Sequence, residues 1–243
     1  MKKIILIFIL FVSFHISFSQ KEESQTDQEK KIANMDFPGH IKLSLGLNLL
    51  LDADEAMKTG VLSSRSFGLN YMKPIFLTDN LSFNPGLGVA IENYSFKNNV
   101  LINYRYDIDD NQINFIDTLS VDSKRNKLVN SSLEFPLEFK YHFGNIDDDK
   151  NRFFIGLGTD LGIRINSFTK LKHIKNNKSI INKSKNDFGL SNYRYSLSFT
   201  FGNNNFNIYI KYFLSEFFQS KQIPEYINNK PIVIKTGFSF SLF

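Results

Sequence analysis

Leu133-Glu134-Phe135-Pro136-Leu137-Glu138-Phe139-Lys140-Tyr141-His142-Phe143 alternates without a break, with Leu, Phe and Tyr on one parity and Glu134, Glu138, Lys140 and His142 on the other. Successive side chains of an extended chain point to opposite faces, so the segment is a strand with one continuous apolar face. That face is about the 9 to 11 residues long that a tilted strand needs to cross hydrocarbon. The same period follows at Phe153, Ile155, Leu157, Leu161, Ile163 and Ile165, set against Gly156, Gly158, Asp160, Gly162 and Arg164.

Working outward, three strands precede this pair. Ile41 to Leu51 alternates with His40, Lys42, Ser44, Gly46 and Asn48; Phe67, Leu69 and Tyr71 alternate with Ser66, Gly68 and Asn70; and Leu81 to Ile91 alternates with Ser82, Asn84, Gly86, Gly88 and Glu92. Three more follow: Tyr193 to Phe201 around Arg194, Ser196, Ser198 and Thr200, Phe206 to Leu214 around Asn207 and Lys211, and Ile232 to Leu242 around Lys235, Gly237, Ser239 and Ser241. A water-soluble sandwich would carry Lys, Glu and Thr on its solvent face and few glycines. Here the minor face is Gly, Ser, Asn and charges of both signs, which suits the packed inside of a narrow tube with its apolar face outward.

Connection lengths support this independently. Thr78-Asp79-Asn80, Gly144 to Asn151 and Asn203-Asn204-Asn205 are short, whereas Asp52 to Ser64, Lys97 to Asn126, Phe168 to Gly189 and Phe218 to Lys230 are long and polar. Short and long alternate, as periplasmic turns and external loops do. The predicted fold is therefore all-β, an eight-stranded antiparallel up-and-down transmembrane β-barrel. A ten-stranded count is the alternative, because Val100, Ile102, Tyr104 and Tyr106 alternate, as do Ile113, Phe115, Leu119 and Val121. We read these two runs as the third and fourth strands continuing outward into a hairpin tipped at Asp107 to Asn111. Their inner faces are heavily polar, and Lys97 and Lys124-Arg125 mark a membrane edge.

Lys2 and Lys3, the apolar run Ile4 to Phe14, shorter than the ~20 residues of a spanning helix, and Ser17-Phe18-Ser19 make residues 1–19 a secretory signal peptide cleaved before Gln20. Residues 20–39 hold Glu22, Glu23, Asp27, Glu29, Lys30 and Lys31 and almost nothing apolar, which reads as a flexible periplasmic tail. Residues 40–243 form the barrel domain. The 243-residue chain has no Cys, which excludes disulfides, thiolate metal sites and a Cys nucleophile, and its formal charge of +5 is too small to imply nucleic acid.

The motifs Leu81 to Val89, Ser132 to Tyr141 and Phe153 to Gly162 resemble the PorT-like outer-membrane β-barrel family of Bacteroidetes, over about residues 40 to 243. The resemblance implies a cell outer membrane location and no catalytic residues, and it transfers no ligand. Its namesake belongs to a protein-secretion apparatus. The sequence closes on Phe243, like many barrels whose last aromatic is read by the insertion machinery, although Phe243 is out of phase with Phe238, Phe240 and Leu242.

Inward charges are the most specific polar feature. Glu134 and Glu138 come level with Gly156 to Asp160, with Arg164 a little above, and Arg194, Lys211 and Lys235 point inward from later strands, so a salt-bridged lumen is expected rather than an ion path. The Lys-rich segment from Phe168 to Gly189, with Lys170, Lys172, Lys175, Lys178, Lys183 and Lys185 against Asp187, would attract lipopolysaccharide phosphates if exposed outside. Asp107 to Asn111 and Asp147 to Asp149 lack the glycine and distal glutamate of a calcium loop and read as solvated turns. His40, His142 and His173 have no serine and acid arranged around them in sequence, so no enzyme, metal or cofactor is expected. The expected role is structural or in surface or secretion-associated binding, with outer-membrane lipids, lipopolysaccharide and secretion or surface proteins as partners; a small passive channel is the alternative.

Overall fold

A computed structural model describes residues 39–119, 123–144, 152–175, 177–203, 205–220, 222–225 and 227–242. The expected signal peptide, all of the expected tail but Gly39, the Asp147 to Asp149 run and Phe243 lie outside the described residues. The strands are β1 His40–Leu51, β2 Arg65–Met72, β3 Ile75–Phe76, β4 Leu81–Ser95, β5 Val100–Tyr106, β6 Gln112–Thr118, β7 Ser123–His142, β8 Phe153–Lys175, β9 Lys178–Lys185, β10 Tyr193–Asn203, β11 Phe206–Phe213 and β12 Ile232–Leu242.

Eight of them, β1-β2-β4-β7-β8-β10-β11-β12, form an antiparallel ring that closes where β1 pairs with β12 from Ile41↔Leu242 to Leu51↔Ile232. Closure leaves the ring without a free edge, which hydrocarbon requires because it offers no other partner for backbone groups. Side-chain polarity is inverted relative to a soluble protein. Outward Leu45, Phe67, Leu87, Leu157, Leu197 and Phe238 are 40% to 63% exposed, while inward Asn48, Ser82, Glu92 and Ser239 are at 1% or less. Aromatic side chains gather near the short-turn end, where Phe153 stacks on Phe201 and Phe206 on Phe238, and Tyr193, Tyr195 and Tyr212 mark the opposite side of the apolar band. Such girdles sit at the two headgroup regions. Inward glycines keep the tube narrow: Gly46 and Gly237 face one another, and a Cβ on Gly237 would stand 2.5 Å from the Gly46 Cα.

Three features depart from the sequence reading. β5 and β6 stay out of the ring, as the eight-strand count expects, but they pair with each other as a separate two-stranded sheet, with one bridge from Phe115 to Glu225, and do not raise the wall. Val100 and Ile102 are buried against Tyr94, Leu128 and Phe188, and this burial folds the hairpin over the mouth of the barrel. The Lys-rich segment is strand rather than loop: β8 runs on to Lys175 and turns into β9, pairing Phe168↔Lys185 through Lys175↔Lys178. The long connections are also less polar in effect than in composition, because their few large apolar residues share one buried cluster.

Candidate functional site: a filled lumen beneath an interlocked cap

Every ring strand except β2 contributes a charge to the lumen, and the charges form a ladder along the axis. Near the short turns, Glu138 accepts from the Thr200 hydroxyl and lies 3.5 Å from Lys42 Nζ and 3.7 Å from Lys140 Nζ. In the middle, Lys211 Nζ is 2.7 Å from Asp160 and 3.8 Å from Glu134, and Glu134 is in turn 3.7 Å from Lys235. Lys235 reaches Glu92 at 2.6 Å, Arg194 pairs with the same carboxylate, and the Tyr94 hydroxyl donates to it at 3.1 Å. Buried charges are tolerable only when paired in this way. A lumenal cavity of about 20 Å³ lined by Lys42, Glu138, Asp160 and Lys211 has room for about one water.

Six of the seven residues read from sequence fall on this ladder: Glu134, Glu138, Asp160, Arg194, Lys211 and Lys235. Arg164 does not. Opposite Ser132, two residues nearer the mouth than Glu134, it keeps the inward parity but stands above the ladder, just short of a bulge at Ile165. There its guanidinium donates to Asn192 and to Ser167 Oγ at 3.2 Å, and stands 3.9 Å from Asp187. The sequence reading missed Glu92, Tyr94, Lys42 and Lys140 as ladder members. Parity places all four inward, but the heights at which non-adjacent strands meet depend on stagger, which no local pattern encodes.

Above the ladder the filling becomes apolar. The Arg194 guanidinium lies 4.0 Å over the Phe213 ring, and Phe213 joins Tyr94, Leu128 and Val233 at the ring's upper end with Met57, Phe188, Leu190, Phe217 and Phe218 from the connections. Phe188 is fully buried with φ at 51°, and Gly189 follows it at 69°. A left-handed backbone is unusual at a bulky residue and persists only where surrounding packing determines it. Polar contacts then tie the connections together. Gln112 donates to Asp187 at 2.7 Å, the Glu225 N–H donates to the Asn114 carbonyl at 2.8 Å, and Asp54 accepts the N–H groups of Asn228 and Asn229 at 2.9 and 3.1 Å.

The lysines fall in rows outside the wall. Direct partners across a sheet share a face, so Lys127, Lys170 and Lys183 form one row, and Arg125, Lys172 and Ile181 the next. Lys183 Nζ also sits 3.7 Å over the Phe168 ring, which pairs with Lys185. Lys178 is exposed at the β8–β9 turn; Lys175 is its partner there.

At the tip of the β5–β6 hairpin the Asp107 carboxylate is occupied internally. It accepts the Asn111 N–H at 2.8 Å, the Asn111 side-chain amide at 3.2 Å and the Asp109 N–H at 2.9 Å, and these bonds, those of Asn111 foremost, hold its pKa below the usual carboxylate range. Among the described residues no group of three or more His, Cys, Asp or Glu side chains converges on a metal position. His142 Nε2 lies 2.9 Å from Ser82 Oγ, yet both side chains are buried and Asn84 also donates to that hydroxyl, so no substrate carbonyl can reach it.

A family model described as outer membrane protein beta-barrel domain matches residues 10–219. No curated protein matches the chain. Among solved structures, Ail, the attachment invasion locus protein of Yersinia pestis, aligns at 12% identity over 83% of this chain and 97% of its own, with a TM-score of 0.32. Ail in complex with the heparin analogue sucrose octasulfate aligns at 10% identity over the same shares, with a TM-score of 0.30. A mutant of the Rh. blastica porin aligns at 10% identity over 84% of this chain and 99% of its own, with a TM-score of 0.20.

Proposed function

This chain belongs to the outer membrane protein β-barrel domain family, and from that membership we propose that it is a closed, non-enzymatic component of the cell surface that presents a rigid cap for interaction. One observation carries the reading: the charge ladder and the apolar cluster fill the barrel in succession, with all four long connections engaged in the cap. A filled tube cannot pass solutes, which weighs against the passive-channel alternative, and an ordered external surface is what a binding role needs. Export through a cleaved signal at residues 1–19 belongs to the same reading. Kinship with PorT-like barrels, and with it a secretion-associated role, is carried by the strand motifs alone.

Orientation tests this proposal. Asn228 and Asn205 are exposed at opposite ends of the barrel. A single Cys at Asn228 should react with an impermeant maleimide on intact cells, and one at Asn205 only after lysis. Labelling of the Asn205 variant from outside would place the cap in the periplasm and end the surface reading.

A further inference from the structure

Two depressions on the outside of the wall share Arg65 and Asn93. The first, of about 390 Å³, lies near the cap and brings Arg65, Arg125 and Lys127 together beside Ser63, Ser95 and Leu62. The second, of about 850 Å³, is an apolar groove that leaves Arg65 and crosses β2, β1, β12 and β11 over Leu47, Leu45, Phe67, Phe238 and Ile208. Pairings Leu45↔Phe67, Leu45↔Phe238 and Ile208↔Phe238 carry it across four neighbouring strands, along the outward row next to Leu47↔Arg65 on the side away from the cap.

The cations are preorganised and uncompensated. Arg65 Nε donates to the Leu62 carbonyl at 2.9 Å, which fixes the side chain and leaves its terminal nitrogens unassigned. Lys127 Nζ donates to Asn93 Oδ1 at 2.5 Å, and Asn93 Nδ2 donates to the Arg65 carbonyl at 3.1 Å, so one asparagine ties both cations to β4. Among the described residues, no carboxylate forms an ion pair with Arg65, Arg125 or Lys127. Lys170 stands directly opposite Lys127, adding like charge that an anion would relieve. Guanidinium and ammonium groups converging on one point are suited to phosphate oxygens. The groove that begins beside those cations is lined by Leu45, Leu47, Phe67, Ile208 and Phe238, apolar side chains suited to an acyl chain.

We infer that this composite site holds one phosphorylated lipid of the outer leaflet, of the lipopolysaccharide type, with its phosphate between Arg65, Arg125 and Lys127 and a chain along Leu45, Phe67 and Phe238. The cations differ from the lysines of the β8–β9 hairpin, which extend the basic surface without lining either depression. The site does not depend on a closed lumen, since its residues all lie on the outside of the wall.

Native mass spectrometry of the full-length protein in mild detergent, titrated with lipopolysaccharide and with its enzymatically dephosphorylated form, tests the assignment. Hydrogen bonds to charged groups are strong enough that Arg125→Gln with Lys127→Gln should weaken binding of the phosphorylated lipid by about tenfold or more, leaving the dephosphorylated lipid unaffected. Both substitutions are on the rim, and heat-dependent gel mobility confirms that the variant is folded. Inorganic phosphate in millimolar excess should fail to displace the lipid. Unchanged affinity in the double variant overturns the assignment. Displacement by inorganic phosphate would reduce it to a simple anion pocket, and a lipid-free dimer would assign the groove to a second copy of the chain; either result also overturns it.

Discussion

Replacing Glu92 with alanine will destabilise the barrel more than any substitution on its surface. The carboxylate is 1% exposed and neutralises Arg194 and Lys235 at once, while accepting the Tyr94 hydroxyl. Its loss leaves two buried cations with one distant carboxylate, Glu134, 3.7 Å from Lys235. Breaking a buried pair by removing one partner costs about 3–5 kcal/mol, because the uncompensated charge stays behind. Glu92→Gln keeps the shape without the charge and should fall nearly as far, whereas a merely space-filling role would be restored by it. The chain has no Trp, so urea titration is best followed by the folded and unfolded bands on unheated gels. Lys178→Ala, at an exposed turn, should stay within about 0.5 kcal/mol of the parent.

Phe217→Ala should produce an effect of comparable size that is confined to one end of the molecule. Phe217 is 3% exposed and meets Tyr94 and Phe218 edge-on, with centroids 5.0 and 4.8 Å apart. Truncating a buried Phe to Ala costs about 3–5 kcal/mol. The cap draws its core from all four long connections, so amide exchange should accelerate together around Met57, Ile102, Phe188 and Phe218, with the lower strands unchanged. Acceleration restricted to the neighbourhood of residue 217 would mean that the connections fold independently and that no common cap exists.

The wall was legible in the sequence, and the cap was not. Strands such as Leu133 to Phe143 announce themselves by period alone, and the inward parity of Glu134, Asp160 and Lys211 follows from it. The partners do not follow, because Glu92 meets Lys235 and Arg194 across the lumen rather than along a strand, and Arg164, inward like the rest, is taken up above the ladder by Asn192, Ser167 and Asp187. In the connections, Met57, Phe188 and the Phe217-Phe218 pair stand in mostly polar stretches, with neither period 2 nor period 3.6 to flag them. Their burial comes from convergence of four segments far apart in the chain. The same holds for Arg65, Asn93 and Lys127, three strands' worth of unrelated positions brought together at the rim.

The central claim of the proposed function is that no continuous water path crosses the barrel. Recording from planar bilayers after adding the pure, folded protein tests it most directly. The ladder from Glu138 to Glu92 and the cluster above Phe213 predict a current trace no different from that of the bare membrane at moderate voltage. Stable, large single-channel steps that appear with the wild-type protein and scale with its amount would contradict a filled lumen.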